Sequence, residues 1–352
     1  MTEQLKLKLN DSKATRWGAL VIVAFTMMAA YYVNDVVAPL KTMLETDLAW
    51  SSTDFGFFTG GYSFLNVFFL MLIWGGLILD RFGIRFTGKL ATILMVGGTA
   101  LEYYAMTGLA GADATLFGIN EIFGYKTGVF VAFAGYSIFG VGAEVAGITV
   151  SKIIAKWFKG KELATAMGVQ VALARIGSQA GYAVAIPLAR AFGISTPVLL
   201  GLVLLLGGMI AFFVFAVMDK KLDKQMEAAA IAAGTEDEEE KFSFKDVKNI
   251  LVNPGFWLIA LLCVLFYSCV FPFQKFASEL MIIKYGINEN VAGTFAGLPA
   301  LGALILTPVF GGFIDKRGKS ASIMLLGSAM LICVHFIYAI PDINYCLVAI
   351  VL

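Results

Sequence analysis

The chain has 352 residues, of which 59% are hydrophobic and only 14% are charged. Soluble domains carry about 25% charged residues, so this composition excludes an ordinary soluble protein and indicates an integral membrane protein. The formal net charge is +1, which gives no reason to expect a nucleic acid or an acidic partner. Four cysteines lie in or beside apolar runs without paired ligand spacing. We expect small core residues rather than disulfides or metal ligands at Cys263, Cys269, Cys333 and Cys346.

Apolar runs of membrane-spanning length follow one another along the chain. About 20 apolar residues cross a bilayer, and this rule predicts nine full transmembrane helices. They cover residues 17–40, 55–79, 88–109, 127–150, 163–188, 195–218, 255–283, 291–314 and 320–340. Eight more spans follow the first, so we expect it to be a retained helix and not a cleaved signal peptide. A last apolar run begins near Asn344 and is too short to cross, from which we expect a truncated chain.

Basic residues predict the orientation of these spans. Lys and Arg concentrate in short cytoplasmic loops, and most of the 26 in this chain fall in the N-terminal tail and in alternate loops after it. We therefore expect a cytoplasmic N-terminus. The single long polar segment carries the acidic run Glu236–Glu240. We interpret this run as a solvated linker, with a regulatory or partner-docking segment as the alternative.

The chain then divides into four predicted parts. Residues 1–16 form a cytoplasmic tail, 17–218 an N-terminal six-helix half, 219–254 a cytoplasmic linker, and 255–352 an incomplete C-terminal half. Six helices, a charged linker and a second set of helices are the layout of transporters built from parallel repeats. The predicted fold class is therefore an all-α integral membrane protein of two related halves.

Two similar loops, Gly75–Gly83 and Gly311–Lys319, lie at matching places in the two halves. Such a loop needs glycine where helix ends pack closely, an aspartate that caps a helix, and basic residues at the lipid headgroups. Both loops resemble the signature loop of the major facilitator superfamily, whose fold has two six-helix halves. The candidate gating residues are Gly76, Asp80, Arg81, Gly83, Arg85, Asp315, Arg317 and Gly318. In that family the first aspartate ties the halves together through a late helix, which this chain is expected to lack.

A narrower resemblance extends along most of the chain. It is carried by Tyr62–Val67, Gly142–Glu144, Trp157–Leu163, Ala174–Ser178, Phe271–Phe273 and Pro308–Gly311. Together these blocks resemble the lysosomal dipeptide uniporter branch of the superfamily and its bacterial relatives. The resemblance implies alternating-access transport of dipeptides.

Glu144 and Arg175 are ionisable residues inside predicted spans, near the bilayer midplane. A charge at that depth costs at least about 2.5 to 3.5 kcal/mol, so it usually faces a cavity or a partner. A zwitterionic peptide needs an anion for its amine and a fork of donors for its carboxylate, and arginine supplies such a fork. The resemblance implies these roles for the same two residues. The alternative is a permanent Glu144–Arg175 ion pair that joins adjacent helices.

Further polar residues are candidates for substrate contact: Asn34, Asp35, Gln170, Gln179, Tyr267 and Gln274. Interfacial capping, helix-to-helix hydrogen bonding and core packing are the competing interpretations. Glu144, Glu102 and His335 are the candidate proton sites. For Glu102 we favour a side chain that reaches toward the membrane surface, and for His335 a hydrogen-bonded core residue.

No phosphate-binding loop, metal-ligand cluster or catalytic set is apparent, so we expect neither an enzyme nor a cofactor. The first hypothesis is a carrier of small zwitterionic solutes, above all dipeptides. The alternatives are a proton-coupled organic anion transporter or exchanger and a non-transporting pseudo-carrier. The expected partners are a dipeptide or organic acid and the lipid bilayer, with any protein partner unknown. We expect a bacterial inner membrane, or a lysosomal membrane if the chain is eukaryotic.

Overall fold

A computed structural model describes residues 8–111, 114–233, 250–317, 319–342 and 344, and these are almost entirely helical. The helices are α1 Lys13–Val36, α2 Lys41–Asp47, α3 Ser52–Phe68, α4 Met71–Thr107, α5 Thr127–Trp157, α6 Leu163–Phe192, α7 Thr196–Ala233, α8 Pro254–Tyr285, α9 Glu289–Arg317 and α10 Ser320–Ala339. A 3₁₀ turn, Ala38–Leu40, joins α1 to α2. Strands β1 (Glu121–Ile122) and β2 (Tyr125–Lys126) form an antiparallel pair between α4 and α5.

Each predicted span corresponds to helix in the described residues, but one span is interrupted. Within the described residues, six helical segments are long and apolar enough to cross a membrane, and the pair α3–α4, bent by 58°, makes a seventh. The bend divides the predicted span 55–79, because Leu70 adopts a left-handed conformation with φ 51°. Helix α6 is not among the six segments, since it carries Arg175 and two glutamines within its length.

The predicted loop after the second span is helical instead, and it lies inside α4. The only non-helical residue within α4 is Gly83, with φ 75° and ψ 172°. Residues that carry a Cβ atom rarely adopt this backbone conformation, so glycine is required at the kink. This is a physical role for one of the candidate gating residues.

The described residues fall into two compact units. Unit 1 draws on residues 1–33, 53–177 and 198–242, and unit 2 on residues 34–52, 178–197 and 243–352. The predicted division into halves at 17–218 and 255–352 stays a prediction. Helix α7 continues to Ala233, so the first part of the predicted linker is helical, whereas the acidic run Glu236–Glu240 lies outside the described residues.

A buried carboxylate joins three helices of unit 1. Asp219 of α7 has no exposed surface, and its Oδ1 accepts hydrogen bonds from Trp157 Nε1 at 3.0 Å and Lys156 Nζ at 2.8 Å, both on α5. Arg85 of α4 lies 3.5 Å from Asp219 and 2.7 Å from Asp223, and Lys156 also pairs with Asp223. We call these five residues the Asp219 cluster. Because a carboxylate that is removed from water needs such partners, the cluster fixes α4, α5 and α7 at one level.

A second set of ion pairs holds the start of α1 within unit 1. Arg16 donates to Glu162 at 2.7 Å, and Lys161 pairs with Asp11 at 2.5 Å. The hydrogen bond from Lys161 lowers the pKa of Asp11, and the hydrogen bond from Arg16 lowers the pKa of Glu162. We call these four residues the N-terminal clasp.

Charged residues also connect helices within unit 2. Lys41 is 2% exposed and donates to Glu45 at 2.7 Å, to Ser52 at 2.9 Å and to Glu279 of α8. Arg190 at the end of α6 pairs with Glu289 at the start of α9. These contacts anchor the ends of helices that are otherwise apolar.

The expectation that the cysteines are core residues is wrong for three of them. Cys263, Cys269 and Cys333 are free thiols and are exposed on the surface of α8 and α10. Cys346 lies outside the described residues. Hydropathy did not separate core from periphery, because a membrane protein is apolar both in its interior and where it meets lipid.

The N-terminal clasp should stabilise the protein only while its carboxylates are ionised. Their pKa values are lowered by folding, so the stabilisation is complete above the unfolded pKa values of about 4 and is lost as the pH falls through the folded values. We expect the double variant Asp11→Asn, Glu162→Gln to melt at a lower temperature than the parent at about pH 7, with a smaller difference at about pH 4. Thermal unfolding in detergent measures both.

Glu227→Gln is the matched control, because Glu227 is exposed and forms no ion pair among the described residues. It should leave the melting temperature unchanged at both pH values. An equal loss for the double variant at both pH values would contradict the electrostatic account.

The Asp219 cluster predicts unequal costs for its two aspartates. Asp219→Asn removes the buried negative charge that faces Arg85 and Lys156. It should lower the free energy of unfolding by about 3 kcal/mol. Asp223→Asn changes a side chain that is 40% exposed, so its cost should stay below about 1 kcal/mol. Denaturant unfolding of the two variants tests the difference, and equal costs would refute it.

Candidate functional site

Glu144 is held in place by a tyrosine of a neighbouring helix. The hydroxyl of Tyr62 on α3 donates to Oε1 of Glu144 on α5 at 2.8 Å. The helices approach closely because residue 140 is glycine: a Cβ atom there would lie 2.3 Å from the carbonyl oxygen of Tyr62. Glu144 is half-buried, so its carboxylate is oriented by Tyr62 without being enclosed.

Arg175 lies on α6 over the ring of Tyr31, with its guanidinium carbon 5.8 Å from the ring centre. A cation over an aromatic face is attracted by the ring's electron density. Gly177 permits this approach of α6 to α1, since a Cβ atom there would lie 2.1 Å from the carbonyl oxygen of Met28. Arg175 is half-buried, and its five N–H donors form no hydrogen bond to any residue that the structure describes.

Glu144 and Arg175 do not form an ion pair with each other within the described part of the chain. Their partners are instead the two tyrosines, Tyr62 and Tyr31. Gln170 lies on the same helix as Arg175 and is also half-buried. Unit 1 thus contains an oriented carboxylate and a guanidinium with free donors, the two groups that a zwitterion needs.

Unit 2 contains a second polar group, around Asn34 and Asp35 at the end of α1. The amide of Asn34 donates to Asp35 at 2.9 Å. Lys275 of α8 donates to the backbone oxygen of Asn34 at 2.6 Å, and its ammonium lies 3.8 Å from the Asp35 carboxylate. We did not identify Lys275 from the sequence, although a lysine inside a predicted span was a sufficient signal.

Of the remaining candidates of unit 2, Gln179 and Gln274 contact neighbouring helices, whereas Tyr267 contacts its own helix. Gln179 donates to the backbone of Thr294 on α9 at 3.5 Å, and Tyr182 donates to the backbone oxygen of Gln274 at 3.1 Å. Tyr267 is 49% exposed and stacks on Phe271 at 5.0 Å. Pro272 lies inside α8, and the helix continues through it.

The two further candidate proton sites differ from expectation. Glu102 has no exposed surface, so its side chain is enclosed by the helices and does not reach the membrane surface. His335 is exposed and not buried: its Nδ1 lies 2.9 Å from the Leu331 carbonyl, and its ring meets Phe273 edge-on at 5.6 Å. Of these two, only Glu102 is a shielded ionisable group.

The candidate gating residues of the first loop have partners within unit 1. Asp80 accepts from Lys152 at 3.0 Å, Arg85 belongs to the Asp219 cluster, and Arg81 lies 5.5 Å from the ring centre of Phe82. In the second loop, Arg317 lies over Phe313 at 5.3 Å. Gly318 and the side chain of Asp315 lie outside the described residues.

Comparison with known proteins relates this arrangement to one family. The profile of the Major Facilitator Superfamily matches residues 19–352. The chain is 27% identical over 340 residues to the lysosomal dipeptide transporter MFSD1 of Homo sapiens, covering 93% of this chain and 67% of that protein. The chain spans about two thirds of the length of the curated relatives it matches.

Two solved structures share the fold. A D-xylose–proton symporter superposes with a TM-score of 0.55 at 15% identity, covering 85% of this chain and 69% of its own. A bacterial homologue of the human drug peptide transporters PepT1 and PepT2 superposes with a TM-score of 0.54 at 12% identity, covering 92% and 75%. At such low identity these likenesses support the fold alone.

The close approach of α3 to α5 predicts opposite effects for two glycines on one helix. Gly140→Ala places a methyl group against the backbone of Tyr62 and should lower the free energy of unfolding by about 1 to 3 kcal/mol. At Gly147 the nearest atom that a Cβ would meet among the described residues is Cε of Met27, at 4.0 Å. Gly147→Ala should therefore be neutral or stabilising by up to about 1 kcal/mol. Thermal unfolding distinguishes the two, and a similar loss at both positions would disprove the contact.

Proposed function

Because the chain belongs to the Major Facilitator Superfamily, we propose that it moves a small zwitterionic solute, above all a dipeptide, across a membrane by alternating access. In this proposal Arg175 holds the substrate carboxylate and Glu144 holds the amine. The curated relatives carry the name of a lysosomal dipeptide transporter, which supports this substrate class.

The proposal rests on one observation: the guanidinium of Arg175 donates no hydrogen bond to any described residue. In this proposal α6 crosses the membrane, as its sequence predicts. A guanidinium at that depth costs at least about 2.5 kcal/mol, and structural arginines usually recover this cost through ion pairs. Among the described residues, Arg175 forms no ion pair or hydrogen bond, and its one ring contact is with Tyr31. Its planar fork of donors matches a carboxylate with two parallel hydrogen bonds, so a substrate supplies the missing partner.

Glu144 complements this role. Among the described residues its carboxylate accepts one hydrogen bond, from Tyr62, which fixes its direction and leaves further acceptor positions for an ammonium group. Gln170 on α6, which is half-buried in unit 1, adds an amide suited to a peptide bond. A dipeptide presents a group for each of these side chains.

A second candidate function is proton-coupled transport of an organic anion. The fully buried carboxyl of Glu102 favours it, because an enclosed carboxyl can carry a proton through the membrane. Arg175 would again hold the carboxylate of the substrate. This function differs from the first in requiring an imposed pH gradient.

We also propose that the N-terminus is cytoplasmic and that the membrane is a bacterial inner membrane. The orientation is supported by basic residues of the Asp219 cluster and of the N-terminal clasp, such as Arg85 and Lys161, which lie in segments predicted to be cytoplasmic. The relatives are named lysosomal, and a eukaryotic source would place this chain there.

Uptake of a labelled dipeptide into vesicles that contain the full chain tests the first function. Arg175→Ala should reduce uptake at least tenfold, about 1.4 kcal/mol of substrate interaction, and Arg175→Lys should restore only part of it because lysine lacks the fork. Lys159→Ala removes an exposed cation and is the control, with uptake expected at the parent level.

Normal uptake by Arg175→Ala would overturn the assignment. Uptake of a carboxylate that follows an imposed pH gradient, and loses that dependence in Glu102→Gln, would favour the second function instead. Melting temperatures of all variants establish that each is folded.

A further inference from the structure

Residues 114–126, between α4 and α5, form a structured hairpin with an unusual sequence. Two short segments repeat six residues apart, Leu116-Phe117-Gly118-Ile119 and Ile122-Phe123-Gly124-Tyr125. In each, the first and last residues pair across a two-residue turn: Leu116 with Ile119, and Ile122 with Tyr125. We call residues 114–126 the Phe-Gly hairpin.

Both turns have the same backbone conformation. Phe117 and Gly118 have φ values of 54° and 80°, and Phe123 and Gly124 have φ values of 52° and 81°. Positive φ at both central residues defines a turn that strongly prefers asparagine, aspartate or glycine in the first position. A bulky aromatic residue is an outlier there, and such strain persists where the position serves another purpose.

The rings of Phe117 and Phe123 are almost fully exposed. Phe117 is 95% exposed and Phe123 is 89% exposed, among the most exposed large apolar side chains of the described residues. The hairpin does not hold them loosely, because Thr127 bonds to Asn120 through its N–H at 2.9 Å and to Ile119 through its hydroxyl at 2.8 Å. Two aromatic rings are thus presented outward by a fixed backbone.

A continuous row of rings joins the hairpin to the side of the helices. Phe123 lies 6.0 Å from Phe130, Phe130 lies 6.2 Å from Phe133, and Phe133 lies 5.2 Å from Phe64. Phe64 in turn contacts Phe68 at 5.2 Å, and Phe68 is 74% exposed on α3. Helix α5 begins at Thr127 and is long and apolar enough to span a membrane, so this row leads from the hairpin onto the side of a candidate span.

We propose that the Phe-Gly hairpin inserts Phe117 and Phe123 into the boundary between headgroups and acyl chains of the leaflet on its side. Aromatic residues are favoured at this depth, where lipid covers the ring without demanding a matching surface. The charged residues of the hairpin that the structure describes, Glu121 and Lys126, face each other across the strand pair and leave both turns apolar.

A protein partner fits these features less well. A stable protein interface buries about 800 Å² on each side and needs a contiguous, complementary surface. The hairpin offers two separate rings at two turns, together with Ile119, which is 50% exposed. A lipid surface accepts such isolated insertions.

Tryptophan fluorescence in vesicles tests the proposal with the full chain. Phe117→Trp and Phe123→Trp are made separately, and their emission is read as the difference from the parent, which has five tryptophans. We expect severalfold stronger quenching by lipids brominated near the top of the acyl chain than by aqueous iodide. Glu227→Trp, on the exposed end of α7, should show the reverse.

Strong iodide quenching at both hairpin positions would overturn the proposal, because it places the rings in water. Emission that neither brominated lipid nor iodide quenches would also overturn it, since it indicates coverage by protein. The two positions are independent, so one variant that fails to fold leaves the other as the test.

Discussion

The burial of one carboxylate sets the level at which three helices of unit 1 meet. Asp219 has no exposed surface, so Trp157, Lys156 and Arg85 must approach it from α5 and α4. Arg85 follows the Gly83 kink by only two residues, and the kink therefore determines whether its guanidinium can reach the cluster. Helix α5, which carries Glu144 toward its middle and the Phe-Gly hairpin at its start, takes its axial position from the same contact.

Glycine residues allow the backbones of neighbouring helices in unit 1 to pack in close contact. Gly140 brings α3 against α5 and so brings the Tyr62 hydroxyl to Glu144, while Gly177 brings α6 against α1 beside Arg175. Lipid offers no hydrophobic force between helices, so such close backbone packing and a few polar contacts supply the association. The proposed substrate groups are consequently fixed by residues that have no chemistry of their own.

The sequence predicted the helices well because a bilayer imposes a single length rule on every span. It did not predict the bend at Leu70, since an apolar residue in a left-handed conformation leaves no compositional signal. The predicted positions of Glu102, His335 and the three described cysteines were wrong. Hydropathy indicates that a segment avoids water, but it does not show whether a side chain of that segment is buried in protein or exposed on the helix surface. Glu144 and Arg175 could be recognised from the sequence because each is a charged residue within an apolar span. Their tyrosine partners could not be predicted, because they depend on how each helix is rotated about its axis.

The distribution of free thiols has a practical consequence for spectroscopy. Cys263, Cys269 and Cys333 are unbonded and exposed, and all three belong to unit 2. No cysteine precedes residue 263 in the sequence. A thiol-reactive probe on this sequence therefore has three exposed targets among the described residues, all of them in unit 2. A single cysteine introduced into unit 1 of a variant that keeps one native thiol would give a defined pair of positions for attaching spectroscopic probes.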